Sequence, residues 1–277
     1  MTPLLTMSLS MPSVVSLVPP TQVGAASAGH TPAFAPPAVE PAQLLATLRQ
    51  QGFAVLGAEG VSRWLGQDTV SGLESLVPCW DRLPADAHLK DGGRYRSRRH
   101  GSCVVSATGV QAVAHRAHWQ PVAYNALHGG MQRWFEPLEP AMASHPAWSA
   151  LHLALGKVAS GLRGVQDWYA ESHPFRIDTT DGIGRPTPEG AHRDGVDLVA
   201  VFLVARHGIK GGESRVFEAD GPAGQRFTLT EPWSVLLLDD QRVIHESTPI
   251  QPTHPEVLGW RDTLVVTLRA GGFQDEF

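Results

Sequence analysis

Cysteine, strong net charge and long apolar runs are all scarce in this chain of 277 residues. Its two cysteines, Cys79 and Cys103, form no CxxC pair, which excludes a disulfide-rich scaffold and a cysteine-based zinc site. A net charge of -5 offers no electrostatic footprint for nucleic acid, and no run of about 18 residues has the apolar density of a membrane span. We therefore predict a cytoplasmic protein without a nucleic-acid or membrane partner, and leave a homo-oligomer open.

Several motifs of common enzyme classes are also missing. The chain contains no GxGxxG or GxxxxGK[ST] loop, which disfavours nucleotide-binding folds, and no GxSxG elbow, which weakens a hydrolase interpretation. The segment before Glu40 has no Lys, Arg, Asp or Glu, so it lacks the basic start of a secretory signal. Its Pro, Ala, Ser and Thr content predicts a flexible tail over residues 1–40, followed by one domain over 41–277.

The predicted secondary structure of that domain changes along the chain from mainly helices to mainly strands. Helical spacing is predicted around Leu44–Leu48 and Val70–Leu76, with a short strand at Phe53–Leu56, and the segment Met131–Leu155 reads as short helices interrupted by prolines. Short apolar runs then alternate with Gly, Pro and Asp turns, at Phe175–Ile177, Leu198–Val204, Arg215–Phe217, Phe227–Leu229, Val235–Leu238 and Leu264–Leu268. This pattern predicts a mainly β (α+β) fold, a sandwich or jelly roll with a supporting helical layer.

Three residues in the second half of the chain can ligate a metal. His192 and Asp194 stand two apart before an apolar strand, so they point to one side of an extended chain, and His245 follows the apolar run SVLLLDD in what we interpret as a turn. Two imidazoles and one carboxylate form the facial set of non-heme Fe(II) enzymes and leave three coordination positions open. A 2-oxo acid and O2 can occupy those positions.

A dicarboxylic oxo-acid also needs a cation at the far end of its pocket. Arg261 opens the last predicted strand, and Thr263, two residues further, lies on the same face and can add a hydroxyl. These two residues are the predicted anchor for the oxo-acid.

Four segments resemble the bacterial 2OG-Fe(II) dioxygenase family that includes isoleucine dioxygenase and related free amino-acid hydroxylases. They are PEGAHRDG (188–195), RHGIKGGESRVF (206–217), LTEPWSVLLLDDQRVIHESTPI (229–250) and GWRDTLVVTLR (259–269). The resemblance implies a double-stranded β-helix, with metal ligands at His192, Asp194 and His245. It leaves open whether Arg261 or Arg269 anchors the oxo-acid.

The same resemblance implies a reaction and part of a substrate site. An enzyme of this family uses Fe(II), O2 and 2-oxoglutarate, releases succinate and CO2, and hydroxylates a small molecule, here a free L-amino acid. The stretch HWQPVAYNALHGGMQRWFEPL (118–138) also looks like the family, with Gln120, Tyr124 and Asn125 as substrate contacts.

Further polar residues allow two interpretations each. Arg176 and Asp178 share one face of a predicted strand and could hold a zwitterion, or form a surface pair. The run RYRSRRH (94–100) could guide an anionic substrate but is more typical of a solvated face, and the HxxH of His115 and His118 lacks the neighbours of a second metal site.

Two other functions fit the same residues. A cupin-like isomerase or hydrolase could use the same three ligands, although it would not need Arg261. A non-catalytic stress- or biofilm-related binding protein could keep the fold, although an intact HxD and distal histidine argue against it.

Overall fold

The computed structural model of the protein describes residues 34–275. The α-helices are α1 (Leu44–Gln51), α2 (Ala58–Leu65), α3 (Gln67–Ser75), α4 (Pro140–Ala143) and α5 (Pro146–Arg163), and short 3-10 helices cover Pro41–Gln43 and Val77–Arg82. The strands are β1 (Phe53–Leu56), β2 (Arg96–Arg98), β3 (Gly101–Val105), β4 (Val110–Ala112), β5 (Trp168–Asp178), β6 (Leu198–His207), β7 (Ile209–Gly211), β8 (Ser214–Glu218), β9 (Gly224–Phe227), β10 (Val235–Asp239), β11 (Val243–Ser247), β12 (Ile250–Pro252) and β13 (Trp260–Ala270).

The strands form one large antiparallel sheet and two smaller ones. The eight-stranded sheet has the order β1-β10-β6-β13-β5-β3-β4, with β2 beside β5. The three-stranded sheet has the order β11-β8-β9, and β12 pairs with β7. The predicted mainly β jelly roll is thereby confirmed.

Alternation along β6 explains why the large sheet is covered on both faces. Leu198, Ala200 and Phe202 point to the helical side, where they join the core formed by the helices. Val199 and Leu203 point the other way and pack with Val216, Phe227 and Val243 of the three-stranded sheet. Because both faces are buried, the strand reads as a continuous apolar run in the sequence.

The helical layer differs in detail from the prediction. Residues 131–139 are irregular, and α5 starts at Pro146, where a proline at the first helical position loses no hydrogen bond. The His145 side chain accepts a hydrogen bond from the Ala147 N–H and caps this end. The helix then continues to Arg163, beyond the predicted limit of residue 155, and packs on the sheet through Trp148, Leu151 and Leu155.

Most of the predicted tail over residues 1–40 lies outside the described residues. Its last part contacts the domain, since the Phe34 carbonyl accepts a hydrogen bond from Thr228 and Ala38 forms a parallel bridge with Val55. In the described part of the chain, no helix is long and apolar enough to cross a membrane. Cys79 and Cys103 are buried and unpaired.

Candidate active site

The HxD segment and the distal histidine meet through their backbones. His192 lies in the loop before β6, and its N–H donates to the His245 carbonyl at 3.0 Å, while the His245 N–H donates back at 2.9 Å. The sequence interpretation of His245 as a turn residue is wrong, because it lies within β11. Pairing of β11 with this loop brings His245 close to His192 and Asp194, although they are far apart in the sequence.

The side chains of His192, Asp194 and His245 leave a gap between their donor atoms. His192 Nε2 lies 3.8 Å from Asp194 Oδ1, and His245 Nε2 lies 3.9 Å from Asp194 Oδ2. All three donor atoms fall within 4.8 Å of one another. These separations are too long for hydrogen bonds but suit three ligands around one ion.

Neighbouring groups orient this set. His192 Nδ1 lies 3.0 Å from the Gly190 carbonyl, which leaves Nε2 free to ligate, and Gln120 donates to Asp194 Oδ1 at 3.1 Å. Asp240 accepts the backbone N–H groups of Asp194, Gly195 and Val196 at 2.7–3.0 Å. Partners of this kind fix the direction of metal ligands.

The electrostatics of the group favour a bound cation. Burial and the nearby Asp194 carboxylate raise the pKa of Asp240 to about 7. Burial would lower the pKa of His192, but the carboxylates of Asp194 and Glu189 outweigh it and raise that pKa. Burial, together with His192, lowers the pKa of His245 to about 4, so this imidazole is neutral and able to ligate. A divalent ion would relieve the repulsion between Asp194 and the buried Asp240.

The three side chains open into a cavity of about 140 Å³. Arg261 and Thr263 from β13 line the same cavity, as do Gln120 and Asn125. The predicted metal and oxo-acid residues therefore line one cavity.

Arg261 is a buried cation that lacks an anionic partner among residues 34–275. It is 4% exposed, its Nε atom makes no hydrogen bond, and burial lowers its pKa to about 10 with a further contribution from the Arg206 cation. A buried charge without a counter-charge is costly, so this position fits an anionic ligand that binds from the cavity. Arg269, by contrast, donates to the carbonyls of Gly272 and Phe273 and does not line the cavity.

The five predicted substrate contacts divide into two groups. Gln120 and Asn125 are buried and joined by a 3.2 Å hydrogen bond. The Tyr124 ring packs so closely against Gly195 that a Cβ there would come within 2.4 Å of it, although Tyr124 does not line the cavity.

Arg176 and Asp178 lie elsewhere. Arg176 pairs with Asp262 at 2.7 Å and with Asp81 at 2.9 Å, and it stacks on Trp260. The Asp178 carboxylate accepts the Thr180 N–H. The structure does not bring either residue to the cavity.

Other charged residues in the cavity wall were not selected from the sequence. Arg96 and Arg98 of the RYRSRRH run are buried and line it, whereas Arg94 pairs with Asp181 at the surface. Arg133 and Glu189 also line it. The alternation of arginines in the run was the available signal, but it did not indicate which face is buried.

A second cluster of histidines and a carboxylate is buried beside the cavity. His100, His118, Glu171 and His173 bring their donor atoms within 4.8 Å of one another. His118 is one residue of the HxxH, while His115 lies 2.8 Å from the Phe135 carbonyl through Nε2 and does not belong to the cluster.

Comparisons with known proteins agree with this geometry. A family model described as 2OG-Fe dioxygenase matches residues 77–267. The crystal structure of a bsmA homolog from Methylobium petroleophilum PM1 is 54% identical, covers 87% of this chain and 97% of that chain, and has a TM-score of 0.81. No curated protein gives a significant match.

Two more distant structures share the fold. IDO from Bacillus thuringiensis is 17% identical, with 84% of this chain and 95% of that chain covered and a TM-score of 0.67. The Fe(II)/(alpha)ketoglutarate-dependent dioxygenase TqaL is 16% identical, with 84% and 90% covered and a TM-score of 0.63.

Proposed function

The chain belongs to the 2OG-Fe dioxygenase family, and from that premise we propose that it hydroxylates a free L-amino acid. It is a 2-oxoglutarate-dependent oxygenase that requires Fe(II), 2-oxoglutarate and O2. The proposed reaction converts substrate, O2 and 2-oxoglutarate into hydroxylated substrate, succinate and CO2, so that one oxygen atom enters each organic product. We also propose residues 41–277 as the catalytic domain and the cytoplasm as its location.

In this proposal His192, Asp194 and His245 hold the iron. The donor set fits iron, because two imidazoles and a carboxylate surround one gap. None of the three side chains forms a hydrogen bond with another of them. Bound iron supplies the O2 chemistry that couples decarboxylation of 2-oxoglutarate to oxidation of a C–H bond. Asp240 holds the backbone at Asp194, and Gln120 holds its carboxylate.

Arg261 binds the distal carboxylate of 2-oxoglutarate, and Thr263 lies two residues along the same strand. The observation that carries this assignment is the buried Arg261 guanidinium with an unpartnered Nε atom in the cavity that holds the three ligands. A carboxylate can engage the guanidinium by two parallel hydrogen bonds and neutralise it. A cupin-like isomerase or hydrolase binds no oxo-acid co-substrate, so it would not need a buried cation at this position.

The amino-acid substrate is supported by the sequence resemblance and by the cavity wall. Apart from Arg261, the wall carries residues of both charges, including the buried Arg98 and Arg133 and the partly buried Glu189. A small substrate that carries both a positive and a negative group matches such a wall better than an apolar one.

Anaerobic binding of 2-oxoglutarate tests the oxo-acid site. The Fe(II) protein should develop a weak visible charge-transfer band on addition of 2-oxoglutarate, and Arg261→Met should need at least about 30-fold more of it, because one partner of a buried charge pair is removed. Arg269→Met is the matched control on the same strand and should titrate like the wild type. A band that forms equally well in Arg261→Met would contradict the assignment.

Product analysis tests the reaction and the substrate class. Incubation with a panel of free L-amino acids under 18O2 should give one product heavier by a single labelled oxygen and an equal amount of labelled succinate. Succinate formed at the same slow rate with and without every amino acid would overturn the amino-acid substrate while leaving the oxygenase intact.

A further inference from the structure

The cavity wall carries several buried arginines, and not all of them have a carboxylate partner. Arg96, Arg98 and Arg133 all line it, and each is 5% exposed or less. Arg96 has a carboxylate partner, Asp86, at 2.7 Å. In the described part of the chain, neither Arg98 nor Arg133 has a carboxylate within 4.0 Å.

Arg133 is held in place by a neutral group. Its Nη2 atom donates to Gln120 Oε1 at 2.8 Å, and its Nε atom is buried without a partner. Burial, with a contribution from Arg96, lowers the pKa of Arg133 to about 10, so the group is still charged at neutral pH. Such a cation is expected to destabilise the protein unless a ligand brings the missing negative charge.

Arg98 is fixed even more firmly. Its guanidinium lies 3.7 Å from the Phe135 ring centroid and 4.3 Å from that of Phe175, and Nη2 donates to His173 Nδ1 at 2.7 Å. Since His173 Nδ1 accepts this bond, the imidazole is neutral, and this partner supplies no negative charge. The Nε atom of Arg98 is also buried and unpartnered.

One carboxylate in the same cavity is equally unsatisfied. Glu189 Oε2 is buried without a hydrogen bond, and its Oε1 lies 3.6 Å from His192 Nε2. Glu189 is near enough to Arg133 to favour its charged form, yet within residues 34–275 the two do not form an ion pair. The other glutamates of the wall already have partners, since Glu171 is bound by Arg116 and Glu246 by Arg215, each at 3.1 Å.

We propose that Arg98 and Arg133 bind the carboxylate of an α-amino acid and that Glu189 binds its ammonium group. This inference rests on the proposed function and specifies its substrate site. Opposite charges that share a cavity without meeting each other match a zwitterion between them, whereas a simple anion would be repelled by Glu189 and a simple cation by the arginines.

The position of the site agrees with the reaction. Gln120 connects Arg133 to the metal site, because its Oε1 accepts from Arg133 and its Nε2 donates to Asp194 at 3.1 Å. Glu189 adjoins another of the three ligands, His192. An amino acid held by both groups therefore lies next to the three ligands, and Arg261 remains free for 2-oxoglutarate.

Thermal unfolding of the substrate-free protein provides a first test that needs no substrate. Arg133→Met removes a buried charge that forms no ion pair and leaves Gln120 Oε1 bonded to Asn125, so its Tm should stay within about 2 °C of the wild type or rise. Arg96→Met, the matched variant, strands Asp86 and should lower the Tm by roughly 6–10 °C. An equal loss in both would mean that Arg133 is structural and would overturn the site.

Kinetics with modified substrates provide the second test. The probes are the free L-amino acid that releases most succinate, its primary amide and its N-acetyl derivative. Arg133→Met and Glu189→Gln should each raise the KM for the free amino acid at least about 30-fold, with the KM for 2-oxoglutarate within about twofold of the wild type. Arg185→Met serves as the control for loss of one charge, since Arg185 is exposed and directly precedes Pro186 of the cavity wall.

The derivatives assign each contact to one end of the substrate. Arg133→Met should not weaken the amide further, because the amide lacks the charge that Arg133 binds, and Glu189→Gln should not weaken the N-acetyl derivative further. Retention of the wild-type KM by both variants would overturn the zwitterion site while the proposed oxygenation of amino acids stands.

Failure of the proposed function gives a different result. If free amino acids raise the Tm of the wild type but not of Arg133→Met, and no oxygenated product forms, the site holds and the amino acid is not the oxidised substrate. If no amino acid raises the Tm or the rate of succinate release, both proposals are overturned.

Discussion

The two histidine and carboxylate clusters of this protein differ in what their donor atoms already do. In the cluster of His192, Asp194 and His245, the closest distances between the carboxylate and the imidazoles are 3.8 and 3.9 Å. In the cluster around Glu171, His100 Nε2 lies 3.0 Å and Arg116 Nη1 3.1 Å from the carboxylate. The first cluster leaves room for an ion, and the second is closed by its own hydrogen bonds.

The surroundings sharpen the contrast. Three guanidiniums act on the Glu171 cluster and would repel a metal ion: Arg116 binds Glu171, Arg98 donates to His173, and Arg133 interacts electrostatically with Glu171. The first cluster instead gains a second carboxylate, Asp240, behind Asp194. Both clusters combine histidines with a carboxylate within 4.8 Å, so a metal site has to be recognised by donor atoms that do not bond to one another and by the sign of the charge around them.

Metal content offers the largest difference between the clusters. We expect one Fe(II) per chain in the wild type, and His192→Ala should lose both the metal and at least about 10³-fold of the succinate formation, because all catalysis depends on the ion. His100→Gln should retain one metal, measured by elemental analysis. Two ions per wild-type chain, with one lost in His100→Gln, would contradict the comparison.

For the free energy of unfolding, we expect the cluster around Glu171 to matter more than the metal cluster. Glu171→Gln removes the carboxylate that Arg116 and His100 bind in the interior, so the free energy of unfolding at pH 7 should fall by about 3 kcal/mol. Denaturant unfolding measures the change, and metal content should remain that of the wild type. An unchanged midpoint would show that this cluster is not held together by its charge.

Asp240 tests how the first cluster is oriented. Asp240→Asn keeps the size of the side chain but cannot accept all three N–H groups of residues 194–196, so affinity for Co(II), used as an oxygen-stable probe, should fall by about 30-fold. The Asp197→Asn variant is the control, since Asp197 binds Gln241 and Ala270 instead. Equal affinities in the two variants would argue against orientation by Asp240.

The closed cluster also predicts a pH effect on stability. Burial lowers the pKa of His118 from 6.5 to about 4, despite the opposing charge of Glu171. The unfolded chain therefore takes up this proton first, so stability is full above pH 6.5 and falls towards pH 4, by roughly 2 kcal/mol at pH 5 for this residue. Unfolding curves at pH 7.5 and 5 should show a smaller difference in His118→Gln, and stability that does not fall with pH would contradict a neutral buried imidazole.

Short-range patterns, continuous apolar runs and period-two alternation, account for most of what could be predicted. Strands β6 and β10 were recognised because their apolar residues are continuous, and the HxD lies in the loop before β6 while the distal histidine lies in β11, the strand after β10. The same alternation correctly places Arg176 and Asp178 on one face of β5. It cannot say which face meets the cavity, and there His173, Phe175 and Ile177 occupy it.

The arginines of residues 94–98 also show that spacing alone does not tell which face of a strand lines the cavity. The spacing of Arg94, Arg96 and Arg98 indicates a shared face, and pairing of β2 with β5 turns Arg96 and Arg98 into the cavity wall. Arg94 lies before the strand and pairs with Asp181 instead. A cation's role thus depended on which strand became its neighbour.

The sequence by itself determined the jelly-roll pattern, the three candidate ligands and the cation on the last strand, because each depends on residue type and short-range spacing. Only the tertiary structure decided which charges are left without partners. Pairing and burial depend on register between strands far apart in the chain, so Arg261, Arg133 and Glu189 stand out as unsatisfied only after the sheet has closed around them.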